Sequence, residues 1–344
     1  MRKSLTLTIL MMMGLSACSV NQQETLKVFN WGVYIDENLK EAFEEEYKCV
    51  VIYDTFDSNE SMYTKIQSGE KYDVLYPSDY MVDRLIQEHY LQALNDQTKS
   101  DLEEVLPTLL HQVYDPENLY SVPYFFGNVG LLYNQTKVSP EDLNAGWNIL
   151  QNTKYQGDVY FYDSERDAFM VALKALGYST NTKDATQINE AFEWLKQLNS
   201  TMSAVYVTDD VIDNMIAGNK SIAVVYSGDA AYILQENEDM AYFVPEEGTN
   251  IWIDSMVIPN NAPNAVLANA WIQFMMRHDS MVANTLEVGY TTVRSDVYQE
   301  MITQDFAENL AYQVRMDNPK DEVFIYDEEL KVLLSDLWVK VKAQ

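Results

Sequence analysis

Between Leu26 and Tyr76, three short apolar runs alternate with two segments of helical periodicity, and this alternation limits the fold more than any other feature. Leu26 to Phe29, Cys49 to Tyr53 and Tyr72 to Tyr76 have the length and apolar character of strands. Asp36 to Tyr47 sets Leu39, Ala42, Phe43 and Tyr47 on one helical face and acids on the other, with Asp36 placed to cap it. Asp57-Ser58-Asn59-Glu60 has capping-box spacing ahead of a helix through Ile66. Strand, helix, strand, helix, strand at this spacing predicts parallel βαβ units. Ligands of such sheets gather at the carboxyl ends of the strands. That rule places Trp31, Tyr34, Ser78 and Tyr80 near a site.

The pattern restarts after residue 157. Asp158 to Tyr162 reads as a strand, and Ala168 to Leu176 as a helix stopped by Gly177. Ile188 to Leu198 is a second helix, striped by Ile188, Phe192, Leu195 and Leu198, and Val211 to Ala217 a third. Ile222 to Tyr226 and Ile251 to Ile258 are strands, and helices follow over Ala265 to Arg277 and Met281 to Val288. The tail from Glu328 to Val341 predicts a helix with Leu330, Leu333, Leu334, Leu337 and Val341 inward. At 344 residues, two domains are expected. No repeat, low-complexity tract or Pro-rich linker separates them, so ordinary strands join them.

The N-terminus has the architecture of an export signal. Arg2 and Lys3 precede an apolar run, Leu5 to Leu15, too short to cross a bilayer, which takes about 20 residues. The run ends in Leu15-Ser16-Ala17-Cys18, which resembles the lipobox of bacterial lipoproteins; that resemblance implies cleavage before Cys18 and lipid on its thiol. Residues 1–17 are then a signal peptide and 18–25 a lipidated cysteine with its tether. Cys49, the one other cysteine, opens an apolar run and is expected in a buried strand without a disulfide partner.

The formal net charge of −30 repels nucleic acid, and no basic, aromatic-interleaved patch offsets it. Such a charge serves solubility, and it also attracts cations. Catalytic chemistry is not evident. His89, His111 and His278 are scattered, and no nucleophile elbow, zincin or phosphate-loop motif occurs. Asp54, Asp57, Asn59 and Glu60 lack the spacing of a calcium loop, and Asp209, Asp210 and Asp213 read as a helix start, so neither metal nor cofactor is expected. The acid pair Asp163 and Asp167 leaves a glycosidase open in principle.

The positive signal lies at the strand ends. Trp31, Tyr34, Tyr80, Tyr226, Trp252 and Tyr290 all fall at strand-to-loop junctions. Asp254 lies two residues beyond Trp252, so on a strand the two share a face. An aromatic wall beside carboxylates suits an aliphatic ammonium: ring faces attract its charge and cover its methylenes, while carboxylates accept its N–H groups.

At these residues the chain is similar to the spermidine/putrescine-binding proteins of bacterial ABC importers. The similarity runs from about Leu26 to the C-terminal helix through FNWGVYID (29–36), DTFDSNESMYTKI (54–66), YDVLYPSDYMVDR (72–84), SVPYFFGNVG (121–130), ALKALGYSTNT (172–182) and IWIDSMVIP (251–259). It implies a two-lobed α/β periplasmic-binding-protein fold, each lobe a mixed sheet flanked by helices, with ligand in the interlobe cleft. We assign 26–129 with 251–300 to lobe 1, and 130–250 with 301–344 to lobe 2. The resemblance implies that Trp31, Tyr34, Tyr226, Trp252 and Tyr290 line a polymethylene chain, that Ser78 and Tyr80 add polar contacts, that Asp254 and Asp167 bind charged nitrogens, and that Thr208 adds a hydrogen bond. It further implies a permease and ATPase as partners, and a monomer held to the membrane by lipid. Val33 and Ser164 stand where members carry acids, Tyr226 where some carry Trp, and a C-terminal Gln has no counterpart between Asp321 and Glu329. Which face Asp163 takes decides whether it compensates. A receptor for another small solute, a lipid-anchored sensor or adhesion module, and a hydrolase are the alternative readings.

Overall fold

The computed structural model describes residues 23–208 and 210–343. Cys18 and the export segment lie outside the described residues. Ten strands are found within them: β1 Glu24–Trp31, β2 Cys49–Phe56, β3 Val74–Leu75, β4 Ser121–Asn134, β5 Val159–Tyr162, β6 Val205–Val207, β7 Ile222–Tyr226, β8 Met240–Phe243, β9 Ile251–Val257 and β10 Thr291–Thr292. Their order is β2-β1-β3-β9-β4-β7-β5-β6, with β8 and β10 also paired to β4.

The expected βαβ units are present. β1 runs parallel to β2 from Glu24 opposite Cys49 to Trp31 opposite Phe56, and parallel to β3 on its other side. The second half repeats the arrangement, with β5 parallel to both β6 and β7. Strand β4 joins the halves. Ser121 to Asn128 pairs antiparallel with β9, and Val129 to Tyr133 with β7. The partners change between Asn128 and Val129 while β4 continues, so one strand belongs to both halves. Its register shifts between Pro123 and Phe125, where proline cannot donate to the ladder.

Several elements depart from expectation for local reasons. The cap of the Asn59–Gln67 helix is Ser58 rather than Asp57: Ser58 Oγ accepts from Ser61 N–H, and Ser61 Oγ answers Ser58 N–H. Strand β3 is only two residues long, and Asp73 just before it accepts on its carboxylate from the Lys27 and Asn264 N–H groups. The helix expected from Ala168 starts at Glu165, capped by Ser164. Cys49 is buried in β2, as expected.

The C-terminal helix, Glu328–Lys342, buries Leu334, Trp338 and Val341, a stripe spaced i, i+4, i+7. Leu333, expected inward, is exposed, because one residue turns it about 100° off that stripe. The helix packs on the Glu165–Ala175 and Ala185–Met202 helices. The segment leading into it is tied to the same half. Glu322 Oε2 accepts from Lys174 Nζ at 2.5 Å, and Asn181 exchanges hydrogen bonds with Val323 O and Ile325 N–H, each 2.9 Å.

Lys174 is only 3% exposed, so its charge depends on this partner. Glu322→Ala is expected to lower unfolding free energy by about 3 kcal/mol, the usual effect of stranding a buried charge. Urea denaturation reads this directly, and a loss under about 1 kcal/mol contradicts it.

Candidate functional site

Strand β9 carries the centre of the site. Trp252 and Asp254 alternate with Ile251 and Ile253 along it. Asp254 is 7% exposed, and its two oxygens accept from different hydroxyls: Ser78 Oγ–H at 2.6 Å and Tyr34 Oη–H at 2.7 Å. Ser78 stands at the N-cap of the Asp79–Gln87 helix, just past β3, and Tyr34 in the loop just past β1. Both come from the carboxyl ends of parallel strands, where the topology places ligand contacts.

A row of rings leads away from Asp254. Tyr34 meets Tyr290 edge-on at 5.5 Å between centroids, Tyr290 meets Trp252 at 5.6 Å, and Trp252 meets Tyr226 at 6.4 Å. At the far end Tyr226 Oη–H donates to Asp167 Oδ2 at 2.7 Å. Midway, Tyr290 Oη–H donates to Asp229 Oδ1 at 3.0 Å. Three tyrosines of one aromatic row thus each hold a carboxylate.

Two glycines make room for this row. A Cβ on Gly127 of β4 would lie 2.3 Å from the Trp252 indole that crosses it. A Cβ on Gly228 would lie 2.0 Å from the Tyr290 ring. Gly228 sits in the first turn of the Ser227–Glu236 helix, so the ring packs closely against helix backbone.

Burial sets the electrostatics. It raises the Asp254 carboxyl to about 6, although the Ser78 and Tyr34 hydrogen bonds pull the other way. Burial likewise raises Asp167, opposed by the Tyr226 hydroxyl and by Ser164. Tyr34, Tyr226 and Tyr290 are pushed well above the usual phenol range, first by burial and then by neighbouring acids. They remain hydroxyl donors at neutral pH. Asp167 Oδ1 and the indole N–H groups of Trp31 and Trp252 are buried without a hydrogen-bond partner in the protein. An unmatched carboxylate oxygen behind aromatic faces is what a cationic N–H donor would satisfy.

The other expected residues distribute as follows. Trp31 is half-buried and packs on Phe56 at 4.5 Å. Tyr80 Oη accepts from Asn59 Nδ2 at 3.1 Å. Thr208, just past β6, is exposed, and its backbone N–H donates to Asp210 Oδ1. Val33 is 92% exposed with φ +49°. Ser164 serves as a helix cap. Asp163 Oδ1 accepts from Trp338 Nε1–H at 2.9 Å and Lys342 Nζ at 2.6 Å, so it is engaged by the C-terminal helix.

Three residues escaped sequence reading. Asp229 lies three positions past Tyr226, in the first turn of the helix that Tyr226 precedes, where an acid is ordinary and gave no signal. Asp79 and Arg166 adjoin Ser78 and Asp167 but look like ordinary charges of a first helical turn. Among the described residues no group of His, Cys, Asp and Glu has metal-binding geometry. A cavity of about 400 Å³ opens beside Ile251, Ile253 and Met316. Ile251 and Ile253 face away from Trp252 and Asp254, so this cavity lies off the aromatic row.

The fold and this site are those of a receptor for small solutes, and residues 38–313 match the bacterial extracellular solute-binding protein family, to which the chain belongs. It is a binding protein of the extracytoplasmic space and not an enzyme. Within that class the chain is 33% identical over 284 residues to the spermidine/putrescine-binding periplasmic protein of Escherichia coli, covering 81% of this chain and 80% of that one. The crystal structure of the spermidine/putrescine ABC transporter substrate-binding protein of Streptococcus pneumoniae superposes with a TM-score of 0.82 at 36% identity, over 93% of this chain and 99% of that one. A putative spermidine/putrescine ABC transporter protein of Listeria monocytogenes gives a TM-score of 0.81 at 31% identity, over the same shares. The expected periplasmic-binding-protein architecture is therefore the one observed.

Gly228→Ala tests the packing of the row. Alanine gains about 1 kcal/mol of helix propensity, but overpacking against Tyr290 costs about 1–3 kcal/mol. Net destabilisation in thermal unfolding is expected, and a variant as stable as the parent contradicts the close ring contact.

Proposed function

We propose that the chain captures a linear polyamine of the putrescine or spermidine type and presents it to the permease and ATPase of an ABC importer. One observation carries the reading: a row of aromatic rings with a buried, hydroxyl-bound carboxylate at each end, Asp254 and Asp167, and a third, Asp229, between them. An ammonium at either end gains charge-assisted hydrogen bonds, and the rings between cover the methylenes. Trp31, Tyr34, Tyr226, Trp252 and Tyr290 supply apolar surface in this reading, and Ser78 and Tyr80 polar contacts. Thr208, at the end of β6, adds a hydrogen bond in the same reading. The polyamine-binding relatives support the same ligand class. A single ammonium would leave one end of the row unused, which disfavours other small cations.

The mechanism is capture by closure. Lobe 1, residues 26–129 with 251–300, and lobe 2, residues 130–250 with 301–344, meet across the row. Closure removes water from ligand and carboxylates together, and only the ligand's higher affinity for the closed form drives it. Cys18 carries lipid that tethers a monomer to the membrane on its extracytoplasmic side, at the cell surface or in the periplasm.

Calorimetry with putrescine, spermidine and spermine tests the ligand class. At least one should bind with a dissociation constant of about 1 μM or tighter, and the absence of both heat and thermal shift with all three would falsify the reading. Asp254→Asn should weaken binding by about 30-fold or more, since the change strips charge from a desolvated ion pair; a change under about threefold removes Asp254 from the contact. Cys18→Ser should release the protein into the soluble fraction with ligand affinity intact, and continued sedimentation with membranes sinks the lipid assignment.

A further inference from the structure

Beside the aromatic row lie two buried polar atoms that the ligand reading leaves unused. Asp79 opens the Asp79–Gln87 helix, where its Oδ1 accepts from Tyr80 N–H at 2.6 Å. Its Oδ2 is buried without a hydrogen-bond partner. Arg166 lies in the first turn of the Glu165–Ala175 helix, in the other half of the molecule, and its Nη2 is likewise buried and unpartnered. The guanidinium carbon sits 3.7 Å from the centroid of the Tyr80 ring and 6.0 Å from that of Phe324. Asp79 and Arg166 are within electrostatic reach of each other. A cation from one half therefore lies over an aromatic ring of the other, beside a buried acid and next in sequence to Asp167.

Further bridges run along the same seam. Lys331 Nζ is 3.2 Å from Glu60 Oε1. Tyr326 N–H donates to Asp83 Oδ2 at 2.9 Å, and Arg84 lies over the Tyr326 ring at 4.9 Å. Tyr326 and Lys331 belong to the C-terminal segment that Lys174 and Asn181 hold to the second half, whereas Glu60, Asp83 and Arg84 belong to helices of the first. The interactions at the Arg166 seam thus join the halves without involving the row of rings.

We propose that Arg166 is a positioning residue for closure: laid on Tyr80 beside Asp79, it is an inbuilt cationic bridge between the lobes that sets how much of the protein stands closed before ligand arrives. This rests on reading the site as an interlobe polyamine cleft. The apparent dissociation constant equals the intrinsic one divided by the closed fraction. Arg166 therefore scales the affinity of every ligand through the closed fraction, and its charge also acts on the adjacent Asp167 carboxylate, a contact that a diamine and a triamine share. A residue that touched or repelled the ligand would instead shift a diamine and a triamine unequally.

The test compares parent and Arg166→Gln proteins by small-angle scattering without ligand and by calorimetry with putrescine and with spermidine. The ligand-free variant is expected to be more extended than the ligand-free parent. Both dissociation constants should rise by the same factor, about five- to tenfold. Unchanged ligand-free dimensions, unchanged affinities, or factors that differ more than threefold between the two ligands each overturn the proposal. If neither polyamine binds the parent, the ligand reading fails, and the scattering comparison still decides the role of Arg166. Should Arg166→Gln not fold, Lys331→Gln at the rim of the same seam is read the same way: expansion sustains the latch, and unchanged dimensions overturn it.

Discussion

A carboxylate held out of water at residue 254 is the constraint on which the rest of the site depends. Desolvation works against its charge, and two hydroxyls from two separate loops are brought to it in partial compensation. Those hydroxyls fix Tyr34 and Ser78 in place, and Tyr34 in turn sets the edge against which Tyr290 packs. The glycines at 127 and 228 let the indole and phenol rings approach the backbone closely, so the row reaches Asp167 without a break. Strand β4 makes this possible, because its pairing with β9 in one half and with β7 in the other brings Asp254 and Tyr226 to the same row.

This arrangement trades stability for binding. A carboxyl whose folded pKa stands near 6, against about 3.9 in an unfolded chain, favours the folded state most at low pH. That preference is lost as pH rises from about 4 through 6, and the loss is roughly 2–3 kcal/mol at neutrality. A cation placed against the oxygens reverses the balance. Asp167 follows the same logic with a direction of the same sign. A functional site that is poorly satisfied by the protein itself is the expected mark of a receptor whose ligand supplies the missing charge.

The βαβ frame was legible because its strands and helices carry clean periodicities, as in Asp36 to Tyr47 and Ile222 to Tyr226. The common face of Trp252 and Asp254 followed from strand alternation alone. Strand β4 was not assigned, because both its faces are buried and Ser121 to Asn134 shows neither alternation nor helical spacing, only an apolar run broken by Pro123 and two glycines. The segment entered only as SVPYFFGNVG (121–130), one of the blocks of family similarity. Asp229 and Arg166 were hidden for another reason: a charged residue in a first helical turn is ordinary on a helix N-terminus, and only tertiary packing shows that Asp229 receives Tyr290 and that Arg166 lies on Tyr80. Asp163 was ambiguous until the C-terminal helix, remote in sequence, was seen to engage it.

Carbon-13 NMR of the Asp254 side-chain carboxyl, assigned by comparison with Asp254→Asn and titrated with and without putrescine, tests the central claim most directly. Without ligand the group should titrate near 6, and with saturating putrescine its midpoint should fall by at least one unit, because the bound ammonium favours the ionised form. A midpoint near the ordinary value of about 4 that putrescine leaves unmoved would contradict the account of a desolvated carboxylate awaiting a cation.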